Sequence, residues 1–371
     1  MRNIDMKKIL TIIFCLALMQ NLNARQTDDS LRLKIGQMIM VGFSGTSVTP
    51  EDPILAEIRN GDVGGVIMFE KNIADSNSYM ALATLNLTLQ RAARTPIFLA
   101  IDQEGGKVNR LKTKYGFPKS VTAEYLGQLD NEDTTRYYAA STALVLRHLN
   151  FNVNFAPVLD LATNPNNPVI VKHGRSYGAD PKLVTKHAQI VIEEHNKQNV
   201  ITVGKHFPGH GSSQSDTHFG IADVTRTWDK NELIPYRKLI KEGVLPGVMS
   251  AHIVNAVLEP DSLPGTLSKN ILQGLLRDKI GFEGVIFSDD MQMHAITKHY
   301  GLATALELGI NAGLDVVIFS NNIQNSETRT VAAVHDIITR LVREGRISRA
   351  RIDEAYGRIM KIKQQYLYGE Y

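Results

Sequence analysis

The feature of this sequence that most constrains its fold is an alternation of short apolar runs with segments of helical length. Between residues 35 and 320 eight such runs occur, and most of them are continuously apolar rather than alternating in polarity. Continuous runs are typical of parallel strands that are covered on both faces. The predicted strands are Ile35–Phe43, Val63–Phe69, Pro96–Asp102, Val153–Asp160, Ile201–His206, Gly247–His252, Gly284–Asp289 and Asp315–Ser320.

The segments between these runs carry recognisable helix signals. Asp180 and Pro181 are typical of an N-cap followed by a proline at the first helical position. The residues that then fall on one helical face are Leu183, His187, Ile190 and Val191. Two further helices, at Thr328–Glu344 and Ser348–Tyr366, can complete the ring. An eightfold strand–helix alternation predicts an α/β protein with a single-domain (β/α)8 barrel of the TIM type over residues 31–371.

Composition excludes several other classes of protein. With 43% hydrophobic residues in 371, the chain can bury a large core, and it has no collagen-like or disordered composition. Its 41 basic and 38 acidic residues leave a formal net charge of +3. Because this charge is small and spread along the chain, the sequence predicts no nucleic-acid partner.

The first residues are typical of a targeting signal. Arg2, Lys7 and Lys8 precede an unbroken apolar run over Ile9–Met19, and a polar segment ending at Ala24 follows. This layout predicts a signal peptide over 1–24, a short linker over 25–30, and a periplasmic or secreted mature protein. The run is too short to span a bilayer, so we expect no stable membrane insertion after cleavage; an uncleaved anchor is the alternative.

Polar residues end most of the predicted strands. In (β/α)8 barrels the active site lies at the carboxyl ends of the strands, so these residues are expected to converge on one mouth. The polar strand ends are Asp102, Gln103, Glu104, Asp160, Lys205, His206, His252, Ser288, Asp289 and Asp290.

The longest of these polar segments runs from Lys205 to His218. His206 and His210 have the spacing of a helical zinc pair, but Pro208–Gly209 between them prevents a helix, so no metal site is predicted. Asp216 and His218, two residues apart, can act as a carboxylate that orients a proton-transferring imidazole. The sequence contains neither a phosphate-binding loop nor a dinucleotide fingerprint, and we expect no cofactor.

Four blocks of this sequence resemble glycoside hydrolase family 3, in particular its bacterial β-N-acetylglucosaminidases. The blocks are Asp102–Gly106, Asn154–Asp160, Lys205–Gly211 with Asp216–His218, and Phe287–Asp290. The resemblance covers residues 31–371 and implies a hydrolase that retains anomeric configuration through a covalent glycosyl intermediate.

The resemblance also implies roles for individual residues. Asp289 matches the nucleophile, His218 the general acid/base, and Asp216 its partner. The positions that match those holding the non-reducing sugar are Asp102, Arg110, Lys205, His206 and Arg175. Two further positions match the segment that borders the site after the sixth strand, Met249 and His252. Residues 166–174 form a slightly longer connection than usual before Arg175, and Lys107 replaces the usual arginine.

The chemistry of retaining hydrolysis fits these assignments. One carboxylate must attack the anomeric carbon, and a second group must protonate the leaving oxygen and later deprotonate water. A histidine can do both near neutral pH. Sequence spacing leaves open whether Asp289 or Asp290 attacks, since adjacent strand residues point to opposite sides; the resemblance selects Asp289.

The expected function is therefore that of an exo-β-N-acetylglucosaminidase, a monomer acting on terminal N-acetylglucosamine of peptidoglycan fragments (muropeptides). A β-glucosidase of the same family is one alternative. A phosphorylase is another, because a neutral histidine base does not repel phosphate. A remote alternative is a non-catalytic sugar-binding barrel, which the presence of Asp289, Asp216 and His218 disfavours.

Overall fold

A computed structural model describes residues 29–217, 220–323 and 326–368 of the chain. The predicted signal peptide over 1–24 and the candidate acid/base His218 lie outside the described residues. Within the described part of the chain, no helix combines the length and apolarity needed to cross a bilayer.

The core of the fold is a closed barrel of eight parallel strands, which confirms the predicted (β/α)8 architecture. The barrel strands are β1 (Ile39–Val41), β2 (Gly65–Met68), β3 (Phe98–Ile101), β4 (Val153–Asn154), β5 (Ile201–Phe207), β7 (Gly247–Ser250), β9 (Val285–Asp290) and β10 (Val316–Phe319). They pair in chain order, and β10 closes the ring against β1. Two short strands, β6 (Ala222–Asp223) and β8 (Ile253–Val254), form a separate sheet outside the barrel.

Helices surround the barrel. They are α1 (29–37), α2 (Pro53–Asn60), α3 (Ser78–Ala92), α4 (Ala123–Leu129), α5 (Glu132–His148), α6 (Pro181–Asn196), α7 (Ile234–Lys241), α8 (His294–Thr297), α9 (Leu302–Ala312), α10 (Val331–Arg343) and α11 (Arg349–Tyr366). A π-helix covers Asn270–Lys279. The short 3-10 turns are Glu70–Asn72, Thr113–Tyr115, Val171–His173, Lys230–Leu233 and Gly265–Leu267.

The start of α6 forms as its sequence signals predict. The Asp180 side chain accepts a hydrogen bond from the Lys182 backbone N–H, and Pro181 occupies the first helical position. The buried face includes His187, Ile190 and Val191, while Leu183 is only half-buried. At the chain's other end, Ser348 caps α11 in the same way by accepting from the Arg351 N–H.

Most of the predicted strands were too long, and two differ most from the observed ones. Residues 29–37 form α1, so the first strand begins only at Ile39, and helical structure already includes residues 29 and 30 of the predicted linker. The buried side of α1 runs directly into β1, with Ile35 and Met38 both inaccessible, so hydrophobicity shows no boundary there. The fourth strand ends at Asn154 rather than Asp160. Pro157, which follows a cis peptide bond, has no N–H for the strand ladder.

The barrel interior is filled by large side chains below the polar strand ends. Phe287 lies edge-on to both Phe98 and Phe155, with ring centroids 5.8 and 5.6 Å away. Lower still, the buried Lys363 ammonium lies 4.4 Å from the Phe98 ring centroid. Because this packing fills the interior, the cleft lies above it, at the carboxyl ends of the strands.

Candidate active site

The carboxyl ends of the strands surround a cleft of about 310 Å³. Most of the residues that sequence analysis selected lie on its wall. Those that line it directly are Asp102, Arg110, Arg175, His206, Met249 and Asp289. Residues that come from β3, β4, β5, β7, β9 and their following loops are thus brought together as the barrel geometry predicts.

The first group in the cleft is an ion-paired cluster around Asp102. Its carboxylate accepts from Lys205 Nζ at 2.8 Å and contacts Arg110 Nη2 at 3.3 Å. Arg110 also lies over the Phe69 ring, 5.4 Å from its centroid. Burial alone would raise the pKa of Asp102, but Lys205 and Arg110 outweigh it and hold that pKa below its usual range.

Glu104 links two further cations to this cluster. Arg175 binds it through two parallel hydrogen bonds of 2.8 Å, from Nε and Nη2, and Lys205 Nζ lies 2.6 Å from Glu104 Oε1. Burial alone would raise the pKa of Glu104, but these two cations outweigh it and hold that pKa far below its usual value. The longer connection noted in the sequence contains the turn Val171–His173 and Gly174 in the left-handed region, with φ of 64°, and it brings Arg175 into the cleft.

Asp160 and His206 form a buried pair beside this cluster. Asp160 Oδ2 lies 2.7 Å from His206 Nδ1, and Oδ1 accepts the backbone N–H groups of His206 and His210. Burial tends to raise the pKa of Asp160, but the neighbouring histidines lower it below its usual value. If Nδ1 carries the proton donated to Asp160, His206 Nε2 is an acceptor facing Arg175 Nη2 at 3.3 Å. The segment thus combines a fixed backbone with a fixed imidazole tautomer.

The two carboxyl groups at the end of β9 have different surroundings. Asp290 accepts from the backbone N–H groups of Gln292 and Ser320, and from the Ser320 hydroxyl. Burial raises the pKa of Asp290 to about 6. The Asp290 N–H itself donates to Asp289 Oδ1 at 2.7 Å. Asp290 is therefore held by the neighbouring strand end, an arrangement that favours Asp289 as the attacking group.

The two residues predicted to border the site after the sixth strand occupy different positions. Met249 lines the cleft. His252 is fully buried behind Asp290: its Nε2 lies 2.9 Å from the Asp290 carbonyl oxygen, and its Nδ1 lies 2.8 Å from Thr266 Oγ1. A carbonyl only accepts, so Nε2 donates and the Thr266 hydroxyl donates to Nδ1. His252 thus supports the backbone at Asp290 rather than forming cleft wall.

The predicted proton-transfer pair lies on the loop after β5. Asp216 is half-buried, and the next residue, Thr217, lines the cleft. The Thr217 carbonyl accepts from the Ala295 N–H at 3.2 Å, which ties the loop to the start of α8. His218 is outside the described residues, so its role as acid/base stays a prediction.

Four polar or aromatic residues shape this site although no role was predicted for them from the sequence. Glu104 and Asp160 were noticed only as strand-end residues, whereas Phe69 and Ser320 directly follow β2 and β10. All four obey the same strand-end rule, which could have found them. Their partners could not be read from the sequence, because Glu104 and Arg175 are 71 positions apart.

The closed (β/α)8 barrel carries a cleft bordered by paired carboxylates and arginines at the carboxyl ends of its strands, which is where enzymes of this fold class bind their substrates. Comparison with known proteins narrows the class. Residues 30–362 match the family described as the glycosyl hydrolase family 3 N-terminal domain. The chain belongs to glycoside hydrolase family 3 and is a glycoside hydrolase.

Individual relatives agree with this assignment. The β-hexosaminidase of Tolumonas auensis is 34% identical over 290 residues, covering 76% of this chain and 83% of the relative. A family 3 β-N-acetylglucosaminidase structure from a Paenibacillus species has a TM-score of 0.83 and 35% identity, covering 91% of this chain. This chain spans 62% of that protein's length. The β-N-acetylhexosaminidase of Beutenbergia cavernae has a TM-score of 0.80 and 28% identity, covering 90% of this chain and 98% of its own.

Proposed function

We propose that this protein is a retaining exo-β-N-acetylglucosaminidase that removes terminal β-linked N-acetylglucosamine. The observation that carries the proposal is that Asp289 lines the same cleft as Asp102 and Arg175, with the buried Lys205 ion-paired to Asp102. Relatives named β-hexosaminidase support the choice of substrate.

The mechanism begins with binding of one sugar ring. Charged groups make the strongest hydrogen bonds to hydroxyls, and the cluster around Asp102 and Glu104 holds its donors and acceptors before substrate arrives. A cleft of about 310 Å³ is at the small end of ligand pockets, which suits a single terminal sugar.

Two chemical steps follow in the proposed mechanism. In the first, Asp289 attacks the anomeric carbon and the bond between that carbon and the glycosidic oxygen breaks. His218 gives a proton to the leaving oxygen. In the second, His218 takes a proton from water, the water oxygen attacks the anomeric carbon, and Asp289 leaves as a carboxylate. In this mechanism the role of Asp216 is to accept a hydrogen bond from the imidazole of the acid/base and so to stabilise its charged form.

We also propose where the protein acts. The signal-like segment over 1–24 supports a periplasmic or secreted enzyme, and the family resemblance supports muropeptides as the natural substrate. A monomer satisfies the proposal, because every residue invoked comes from one chain.

The decisive experiment compares nitrophenol release from the β-N-acetylglucosaminide and the β-glucoside. We expect preference for the acetylated sugar and a loss of about three orders of magnitude in kcat for Asp289→Asn, since no other carboxylate replaces the nucleophile. Asp353→Asn is the matched control, because Asp353 lies on α11 with only a half-exposed partner, Lys34.

Other outcomes would replace the proposal. Preference for the β-glucoside would assign a glucosidase, and accumulation of sugar 1-phosphate in phosphate buffer would assign a phosphorylase. Full activity of Asp289→Asn would disprove the nucleophile, and binding of N-acetylglucosamine without turnover would assign a sugar-binding barrel.

A further inference from the structure

We infer that Glu104 is a positioning residue that orients Lys205 and Arg175 for the sugar ring. The inference rests on the proposed function, since these two cations are expected to hold the sugar. Neither the sequence pattern nor the family resemblance predicted a role for Glu104. Its contacts with Lys205 and Arg175 indicate one.

The geometry makes Glu104 a bridge between two parts of the chain. Oε1 is shared by Lys205 Nζ at 2.6 Å and Arg175 Nη2 at 2.8 Å, and Oε2 accepts from Arg175 Nε at 2.8 Å. Lys205 belongs to β5, whereas Arg175 belongs to the connection between β4 and α6. Only 6% of the Glu104 side chain is exposed, so water cannot replace these bonds.

Each cation reaches a second predicted sugar-binding residue. Lys205 also donates to Asp102, 2.8 Å away, and Arg175 Nη2 lies 3.3 Å from His206 Nε2. Glu104 therefore determines how both cations divide their hydrogen bonds. Without its charge, Lys205 is free to shift towards Asp102, and Arg175 loses its bidentate partner.

The ion pairs of this cluster give the same result. Two carboxylates, Asp102 and Glu104, face three cations, Arg110, Lys205 and Arg175. Neutralising Glu104 leaves Arg175 without the carboxylate that it binds through two hydrogen bonds, and removing one partner of a buried ion pair carries a large penalty.

The variant Glu104→Gln tests the inference because it keeps the shape of the side chain and removes the charge. We expect KM for the nitrophenyl β-N-acetylglucosaminide to rise about tenfold or more while kcat changes less than about threefold. The loss in kcat/KM should be equal for substrates with good and poor leaving groups, because Glu104 acts on the sugar and not on proton transfer. Calorimetric binding of N-acetylglucosamine should weaken by the same factor as KM rises.

Glu194→Gln is the matched control. Glu194 is also nearly buried, with 7% of its side chain exposed, and it also pairs with one arginine and one lysine, at 2.6 Å to Arg136 and 2.7 Å to Lys197. It lies on α6, outside the cleft. A merely structural effect of losing such a carboxylate should appear equally in both variants. We expect the control to keep wild-type KM and sugar binding.

Each outcome decides a separate question. Unchanged KM and sugar binding in Glu104→Gln, or losses matched by Glu194→Gln, would overturn the inference. A wild-type protein that binds N-acetylglucosamine without hydrolysing it would overturn the proposed function, while weaker binding by Glu104→Gln would still support the inference. If Glu104→Gln fails to fold, Glu104→Asp makes the same comparison, because it keeps the charge but is too short to bridge both cations.

Discussion

Asp289 and Asp290, adjacent at the end of β9, show how neighbouring residues of one type acquire different properties. Asp290 is enclosed by donors from Gln292 and Ser320, and its carbonyl accepts from His252. Asp289 lines the cleft and accepts the Asp290 N–H. Both residues border the cleft and both are half-buried, so the difference lies in their hydrogen-bond partners.

Asp290 is expected to titrate at a higher pH in the native protein than in the unfolded chain. Burial raises its pKa to about 6, above the value of an exposed aspartate, so the native state binds this proton more tightly than the unfolded state. The resulting stabilisation is complete at low pH and is lost as pH rises through 6. Between pH 4 and pH 8 the free energy of unfolding of the wild type should fall by about 2 to 3 kcal/mol through this group. The variant Asp290→Asn should lack that fall. Urea unfolding at several pH values measures it, and an unchanged profile would contradict the raised pKa.

Asp160 acts at the scale of a whole segment. It accepts the backbone N–H groups of His206 and His210 and the His206 ring, so one carboxylate holds the end of β5 and the start of the following loop. That loop continues to Asp216 and Thr217. The proposed catalytic loop is thus anchored at its base by a residue from another strand connection.

Removing this anchor should destabilise the fold strongly. Asp160→Ala leaves two backbone N–H groups and a buried imidazole without their acceptor, and we expect the free energy of unfolding to fall by about 3 to 5 kcal/mol. Chemical denaturation provides the measurement. Asp353→Ala, which breaks a half-exposed ion pair with Lys34, should cost less than about 1 kcal/mol. Equal losses in the two variants would show that Asp160 is not an anchor.

Across the whole molecule, the barrel has two chemically distinct ends. The carboxyl ends of the strands hold the cleft, whereas Lys363 from α11 reaches the interior below Phe98. Its ammonium donates to Gln37 Oε1 at 2.7 Å and to the Gly64 carbonyl at 3.0 Å. Burial lowers the pKa of Lys363 to about 7, so the last helix closes the barrel with a titratable group.

The burial of Lys363 makes the free energy of unfolding depend on pH in the alkaline range. Between about pH 7 and the ordinary lysine pKa, the unfolded chain binds a proton that the native protein does not. The contribution of Lys363 to stability therefore rises with pH by up to about 1.4 kcal/mol per unit in this window. Lys363→Met should remove that slope, while Lys361→Met, an exposed neighbour on the same helix, should keep it. Urea unfolding from pH 7 to pH 9.5 distinguishes the two, and identical slopes would refute the lowered pKa.

The architecture of the protein and the location of its candidate site can be predicted from the amino-acid sequence. Continuous apolar runs and helix caps such as Asp180 depend on local hydrophobicity and hydrogen bonding, which a sequence displays directly. The barrel followed from their alternation, and the strand-end rule placed Asp102, His206 and Asp289 at one mouth. Boundaries were less visible, since α1 and β1 share one apolar run and β4 stops before Pro157.

The partners of each polar group, and whether it faces the cleft, depend on how the whole barrel is assembled. Glu104 meets Arg175 and Lys205, and His252 turns away from the cleft to support Asp290, because closing the barrel brings distant strand ends within hydrogen-bond range. A contact between residues far apart in the sequence depends on the register and packing of all eight barrel strands, and no single segment of the sequence encodes these. The pKa values of these groups follow from the same contacts, because the charged partners and the burial that shift them exist only in the closed barrel.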